Sequence, residues 1–399
     1  MSPPISTDRT LDAALRRDLA TLKRANLFRV THPIRGRHEA GATLNGRDVI
    51  DFSSNDYLGL AGDARIADAI AAALRTEGTG AAAARLISGT HELHELLEAR
   101  IAAFKGTEAA LLFASGYAAN TGALPALAGR GDVIYADALN HASLIDGCRL
   151  SRAEVKVFPH LDVSALATML RDDGGRFKRR WIVVDGVFSM DGDLFPLDAL
   201  AELAREHGAF TYVDDAHGTG LLGANGRGSA EHWGVDGEID VSMGTLGKAL
   251  GTVGAFIAGS RSLRDWLLNR ARAFVFTTAA PPALAAGTLE ALHLIGVEPW
   301  RRDRLRANAR ALRDGLRALG REPAGAADGH IVPVIIGEAS DTARIGDALR
   351  DQGFLVGAVR PPTVPLGTSR LRLTASAAHT PDQIAGLMDA LAALLPRRA

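Results

Sequence analysis

Lys248 stands alone in the stretch Ser242–Gly251, SMGTLGKALG, among small and apolar residues with no acid beside it. A lysine in an apolar, desolvated setting has a depressed pKa, and its free amine can form a Schiff base with an aldehyde. The commoner fate of a single lysine is to keep its head in water while its stem lies on apolar surface. A phosphate loop is the third option, and it fails on spacing. That pattern wants glycine five places before Gly-Lys and Ser or Thr after it, where this chain has Ser242 and Ala249.

Asp214, in TYVDDAHGTG, is the second reactive type. The run FTYV reads as a buried strand, so Asp214 falls at or just past its carboxyl end, where open α/β sheets bind ligands. A carboxylate buried there needs a cationic or donor partner. Taken alone, it reads slightly better as a helix cap or an arginine's partner. Beside a desolvated lysine at the same sheet edge it gains another meaning, because pyridoxal phosphate enzymes pair such a lysine with an acid on the pyridinium nitrogen.

Other stretches shift the balance the same way. ASGYAAN places Gly116 and Tyr117 after a strand and at a helix start, where backbone N–H groups can hold a phosphate. Thr245 precedes Lys248 between Gly244 and Gly247, on a permissive backbone. NHASLIDG offers His141, which could lie flat against a ring, although a lone histidine is more often structural. DGVFSMDGD brings Asp185 and Ser189 to the same edge. Two lures fail: GTGAAA at 78–83 ends in alanine and follows a helical stretch, and HELHE at 91–95 lacks zinc-protease spacing.

These residues need a scaffold, and the alternation of apolar runs with helical patterns supplies one. Candidate strands are Ala110–Phe113, Asp132–Tyr135, Val155–Phe158, Trp181–Val184, Phe210–Val213, Asp240–Met243 and Ala255–Ala258. A helix over Pro196–His207 opens on proline and closes at Gly208. The pattern predicts an α/β fold with a mainly parallel seven-stranded sheet covered on both faces. After Pro281, Leu305, Leu312, Leu316 and Leu319 mark a long amphipathic helix. Strands at Ile331–Ile336, Leu355–Val359 and Arg370–Thr374, a helix at Asp341–Gln352 and a capping box at Thr380–Gln383 follow, a smaller α+β domain. The division expected is an N-terminal helix and hairpin (1–55), a large domain (56–285) and a small C-terminal domain (286–399).

Composition bounds the function. Lys and Arg total 45 against 46 Asp and Glu in 399 residues, so no net field favours nucleic acid or anionic membrane. The single cysteine, Cys148, excludes an intrachain disulfide framework and a zinc cluster, and no metal site is expected. The N-terminus lacks the order of a signal peptide, and the most apolar run, 109–129, is too polar for a bilayer span. A cytoplasmic protein is expected.

SSNDYLGL, ISGTHELHELLE, SGYAAN, NHASL, GVFSMDGD, VDDAHGTG, TLGKALG and RPPTVPLGTSRLRLT occur in order over nearly the whole chain, which thereby resembles the α-oxoamine synthases. Those are aminotransferase-like, fold-type I pyridoxal phosphate enzymes. The resemblance implies a homodimer with its active site at the subunit interface, and assigns roles by motif. Lys248 would be the Schiff-base lysine, Asp214 would pair with the pyridine nitrogen, His217 would bond the phenolic oxygen, and His141 would stack on the ring. Gly116, Tyr117 and Thr245 would hold the phosphate with Thr277 or Thr278 of a neighbouring subunit, and Asp185 and Ser189 would sit beside the cofactor. Arg372 would bind the amino-acid carboxylate, and Arg29, Asn55, His141 and Thr363 would meet the substrates.

RPPTVPLGT and NDYLGL with DDAHGTG look most like a member that condenses L-alanine with a pimeloyl thioester, on coenzyme A or a carrier protein. Relatives using glycine or serine with other acyl groups share the chemistry, and a non-catalytic scaffold is the alternative from another class. Asp185 stands where these synthases usually carry glutamate, and alanines replace small residues in GTGAAAARLISGT. A small change of pocket shape is expected from both.

Overall fold

The computed structural model describes residues 10–395, so the outer ends of the expected first and last units lie outside the described residues. All seven candidate strands form one sheet. Its order is Ala109–Phe113, Ala255–Gly259, Val241–Thr245, Phe210–Asp214, Arg180–Asp185, Val133–Asp137 and Glu154–Phe158. Ala255–Gly259 runs antiparallel to both neighbours and the other pairs are parallel. Val133–Asp137 and Ala255–Gly259 are buried along their whole length, as strands covered on both faces must be. Four parallel strands end in Asp137, Asp185, Asp214 and Thr245, and Ser115 caps the helix Gly116–Leu127 just past a fifth. One edge of the sheet therefore collects the polar residues.

The C-terminal elements pack on this body. Trp300–Ala318 is the expected amphipathic helix and buries Leu305, Leu312 and Leu316, each worth about 1.5–3 kcal/mol of transfer. Leu319 is its C-cap. Ile331–Gly337, Ser369–Thr374 and Gly357–Val359 form a three-stranded antiparallel sheet. The helix Pro381–Leu394 begins at the Thr380–Gln383 capping box.

The expected strand over Leu355–Val359 is two strands. Phe354–Leu355 pairs in parallel with Arg47–Asp51 of the N-terminal meander, whereas Gly357–Val359 pairs with Ser369–Thr374. The chain changes sheets at buried Val356. A single apolar run thus ties the N-terminal segment to the C-terminal sheet. The Asn55–Tyr57 turn is held the same way: Thr374 N–H donates to Phe52 O at 2.8 Å and Ala377 N–H donates to Tyr57 O at 2.8 Å. One apolar core runs through all of this, from Phe52 and Tyr57 through Leu246 and Leu305 to Leu373 and Leu391.

Candidate active site

Asp214 and Asp215 are adjacent and both buried, at 2% and 1% exposure, yet they differ in company. Asp215 is fully served. Lys105 Nζ donates to it at 2.9 Å, Ser229 donates through Oγ at 2.5 Å and N at 3.0 Å, and Thr219 Oγ1 donates at 3.1 Å. Asp214 receives only neutral donors: Asn120 Nδ2 at 2.7 Å and the Ala216 N–H at 3.0 Å. Among the described residues it makes no ion pair within 4.0 Å. A buried carboxylate of this kind calls for a cation supplied from elsewhere.

Lys248 follows the strand end at Thr245, on a loop pressed against the segment that carries Tyr57. Gly251, at φ +67, leaves no room for a side chain, because a Cβ there would lie 2.5 Å from the Ala61 nitrogen. Lys248 Nζ lies 2.7 Å from His217 Nε2. Burial brings the amine down to about 8, with the Asp214 and Asp185 charges opposing the fall and Arg372 adding to it. His217 is held well below its ordinary value, first by burial and then by Lys248 and Arg372, so it stays neutral. Its Nδ1 lies 2.7 Å from Tyr57 Oη, whose hydroxyl reaches Asn55 Oδ1 at 2.9 Å. Arg372 donates from Nε to Ser189 O at 2.5 Å, and from Nη2 to Asn55 Oδ1 at 3.3 Å and Tyr57 Oη at 3.5 Å.

His141 caps the helix Ala142–Ser151 with its side chain and lies at the open face of the cluster. Its backbone N–H donates to Asp185 Oδ2 at 2.6 Å, and its Nδ1 lies 2.7 Å from Ser143 Oγ. Burial lowers its pKa, and the Asp214 charge works against that. Asp185 and Asp214 are strand partners in register. Burial and the Asp214 charge push the Asp185 carboxyl well above the usual range.

Gly116 opens its helix beside this cluster, and a Cβ there would meet only the Met243 methyl, at 3.3 Å. Tyr117 is half-exposed and its hydroxyl donates to Asp146. Thr245 Oγ1 donates to Gly254 O at 3.1 Å, and Ser189 enters through its backbone oxygen. Thr277 and Thr278 are not drawn into the Lys248 hydrogen-bond cluster: Thr278 bridges Ala84. Arg29 and Thr363 meet each other, Arg29 Nη2 donating to Thr363 Oγ1 at 3.1 Å. Arg29 lines an apolar groove of about 790 Å³ with Leu22, Phe28, Pro361, Pro362 and Val364.

Three residues in this network had no sequence reading as site residues. Tyr57 lies inside the NDYLGL motif, but its tie to His217 spans the fold. Asn120 ends the SGYAAN motif, but its part shows only in the fold, where it touches Asp214, Ser143 and, through Oδ1, the Tyr212 hydroxyl at 2.8 Å. Lys105 closes a helix and gives no local sign that it neutralises Asp215.

The donor set fits pyridoxal phosphate. It combines a buried amine of lowered basicity, a buried carboxylate one strand away that forms no ion pair among the described residues, a neutral histidine on that amine, and a helix N-terminus opened by glycine.

Comparisons with known proteins agree. A family model described as aminotransferase class I and II matches residues 47–391. The 8-amino-7-oxononanoate synthase of Alkalilimnicola ehrlichii is 48% identical over 387 residues, 96% of this chain and 98% of that relative. The enzyme of the same name from Anaeromyxobacter dehalogenans is 49% identical, covering 95% of this chain and 94% of its own. Among solved structures, a serine palmitoyltransferase from S. paucimobilis with PLP and myriocin bound has a TM-score of 0.88 at 34% identity, covering 96% of each chain. An 8-amino-7-oxononanoate synthase from Francisella tularensis has a TM-score of 0.75 at 29% identity, over 86% of this chain and 97% of that one.

Proposed function

Because the chain belongs to the class I and II aminotransferase family, as a pyridoxal phosphate-dependent acyltransferase of the 8-amino-7-oxononanoate synthase group, we propose that it condenses L-alanine with a pimeloyl thioester. Carbon dioxide and the free thiol carrier would be the other products, in biotin synthesis. The observation that carries the cofactor chemistry of this reading is the buried Asp214 carboxylate, which makes no ion pair within 4.0 Å among the described residues, one strand from a lysine amine held at about 8.

In this reading Lys248 would bind the cofactor's aldehyde and Asp214 its pyridine nitrogen. His217 would bond its phenolic oxygen and His141 would cover its ring. Gly116, Tyr117, Thr245 and Thr277 or Thr278 of the partner subunit would hold its phosphate, with Asp185 and Ser189 alongside. When bound, pyridoxal phosphate supplies an electron sink for the carbanion formed at the amino acid's α-carbon.

The chain's own groups account for the rest. Lys248 Nζ, its basicity lowered to about 8 by burial, takes the α-proton and later returns it. Arg372 binds the alanine carboxylate; a guanidinium carries five N–H donors, more than its contacts to Ser189, Asn55 and Tyr57 use. The groove beside Arg29 and Thr363 suits an acyl chain, with apolar walls for methylenes and one cation for an anionic end. Exposed Ile87 and Phe276, at 82% and 71%, with Leu86 and Val253 support a homodimer closing over the site. No helix among the described residues is long and apolar enough to cross a membrane.

The likeness to serine palmitoyltransferase favours a second reading, serine with a long acyl thioester. One assay separates the two. The purified enzyme is offered L-alanine, glycine or L-serine against acyl-CoA of varied length, and thiol release is followed. Preference for alanine with pimeloyl-CoA is expected. Preference for another pair refutes the substrates and leaves the family untouched.

A further inference from the structure

The Tyr57 hydroxyl has three polar neighbours: His217 Nδ1 at 2.7 Å, Asn55 Oδ1 at 2.9 Å and Arg372 Nη2 at 3.5 Å. A hydroxyl has one hydrogen to give and two lone pairs to receive. Arg372 can only donate, and an amide oxygen can only accept. The His217 ring nitrogen can do either, so these neighbours decide which role it takes.

We propose that Tyr57 is a positioning residue that fixes His217 as the Nδ1–H tautomer, so that Nε2 presents a lone pair to the active site. With the Tyr57 hydrogen on Asn55 Oδ1, the two oxygen lone pairs receive Arg372 and His217 Nδ1–H. Asn55 Oδ1 then accepts from both Tyr57 and Arg372, and His217 Nε2 accepts from Lys248 at 2.7 Å. Every partner is satisfied. In the reverse arrangement the Tyr57 hydrogen points at Nδ1, Asn55 loses a donor, and Nε2–H faces Lys248.

That reverse arrangement tolerates only an unprotonated Lys248, since an ammonium would set two donors against each other. Lys248 is brought down to about 8, so it is still largely protonated at neutral pH. Relief by protonating His217 is closed as well. Burial opposes it, and so do the cations and imidazoles that face the ring, namely Lys248, Arg372, His330 and His141, while Asp214 and Asp185 act on Lys248 rather than on this ring. Tyr57 itself is fully buried, with its ring edge-on to His330 at 4.4 Å between centroids, so its hydroxyl cannot turn to water. The consequence deepens the function proposed above and rests on its placing of His217 at the cofactor's phenolic oxygen. There an Nε2 lone pair would accept the hydrogen of a protonated oxygen, where an Nε2–H would donate to a bare one.

The test is a tautomer measurement on the full-length chain labelled with 15N-histidine, with and without pyridoxal phosphate. Long-range 1H–15N spectra report which ring nitrogen carries hydrogen, and His217→Gln identifies the signal by its loss. The Nδ1–H pattern is expected at neutral pH. Tyr57→Phe keeps the ring that packs on His330 but leaves Nδ1–H without an acceptor, so the pattern is expected to flip to Nε2–H. Amine-reagent modification of Lys248 at neutral pH is then expected to speed up about threefold, because an N–H facing the amine disfavours its charged form. An Nε2–H pattern in the unmodified protein, or an unchanged pattern in Tyr57→Phe, overturns the proposal. The unmodified protein's spectrum decides even if the variant does not fold. The cofactor-free spectrum is also independent of the substrate assay, so the two readings fail separately.

Discussion

Asp185 Oδ2 accepts the His141 backbone N–H at 2.6 Å while Asp185 stands in register opposite Asp214 on the neighbouring strand. Two acids share one sheet edge, and burial with the Asp214 charge pushes the Asp185 carboxyl well above its ordinary range. Whatever its charge, this carboxyl serves His141 as a hydrogen-bond acceptor.

Asp185→Asn keeps that acceptor and is expected to hold kcat within about threefold, whereas Asp185→Ala frees His141 and is expected to lower kcat about tenfold or more, the cost of a lost hydrogen bond of 1–2 kcal/mol. Steady-state kinetics on both variants check this. Equal collapse in the two would mean that the charge itself is required.

Lys248 gives a pH-dependent stability. Its amine is brought down from 10.5 to about 8 in the folded chain, so between those values the unfolded chain binds more protons and stability rises with pH. Lys248→Met, which does not titrate, is expected to be more stable than the parent at neutral pH by up to about 3 kcal/mol, with the gain fading as pH climbs through that window. Denaturant melts of the cofactor-free proteins across pH measure it, and a difference that stays flat would refute it. The same variant is expected to lose turnover and the visible absorbance of the loaded enzyme.

Asp214 and Asp215 are expected to separate function from stability. Asp215→Asn breaks the buried pair with Lys105, at 2.9 Å, and is expected to cost about 3–5 kcal/mol of stability. Asp214→Asn removes a buried charge that makes no ion pair within 4.0 Å among the described residues, so the cofactor-free protein is expected to lose far less stability than with Asp215→Asn, while cofactor affinity falls at least ~10-fold, as loss of a buried ion pair implies. Thermal melts with cofactor titration decide both. Equal destabilisation by the two changes would count against the contrast.

Arg29→Ala is expected to raise KM for pimeloyl-CoA about tenfold with kcat changed less, because a cation lining an apolar groove contributes binding rather than chemistry. Thr363→Val, which removes only the hydroxyl that Arg29 holds at 3.1 Å, is expected to do less. A fall confined to kcat in either variant would remove the groove from acyl binding.

The sheet was legible because its strands are short apolar runs with turn signals between them, and their carboxyl ends carry Asp185, Asp214 and Thr245. Position along a strand is a local property, so it shows in a local pattern. Company is not local. Nothing near Asp214 says that it lacks a cation while Asp215 has Lys105, and nothing near Tyr57 announces His217. The run at 355–359 misled for a related reason: each half has strand character, but Phe354 and Leu355 pair with Ile50 and Asp51 near the start of the chain, whereas Gly357–Val359 pairs with Arg370–Arg372 just downstream. The pairing of Arg29 with Thr363 likewise joins two ends of the chain that local pattern treats separately.

That change of sheet has a consequence for the ribosome as much as for the enzyme. Phe354–Leu355 completes the N-terminal sheet, and Thr374 and Ala377 pin the turn that holds Asn55 and Tyr57. A nascent chain therefore carries Lys248 and Asp214 into the open before the residues that pin the Asn55–Tyr57 turn, and Arg372 itself, have been made. An interrupted translation product would hold reactive groups without their orienting partners. The completed cluster thereby depends on residues 354–377 as much as on the strands that carry Lys248 and Asp214.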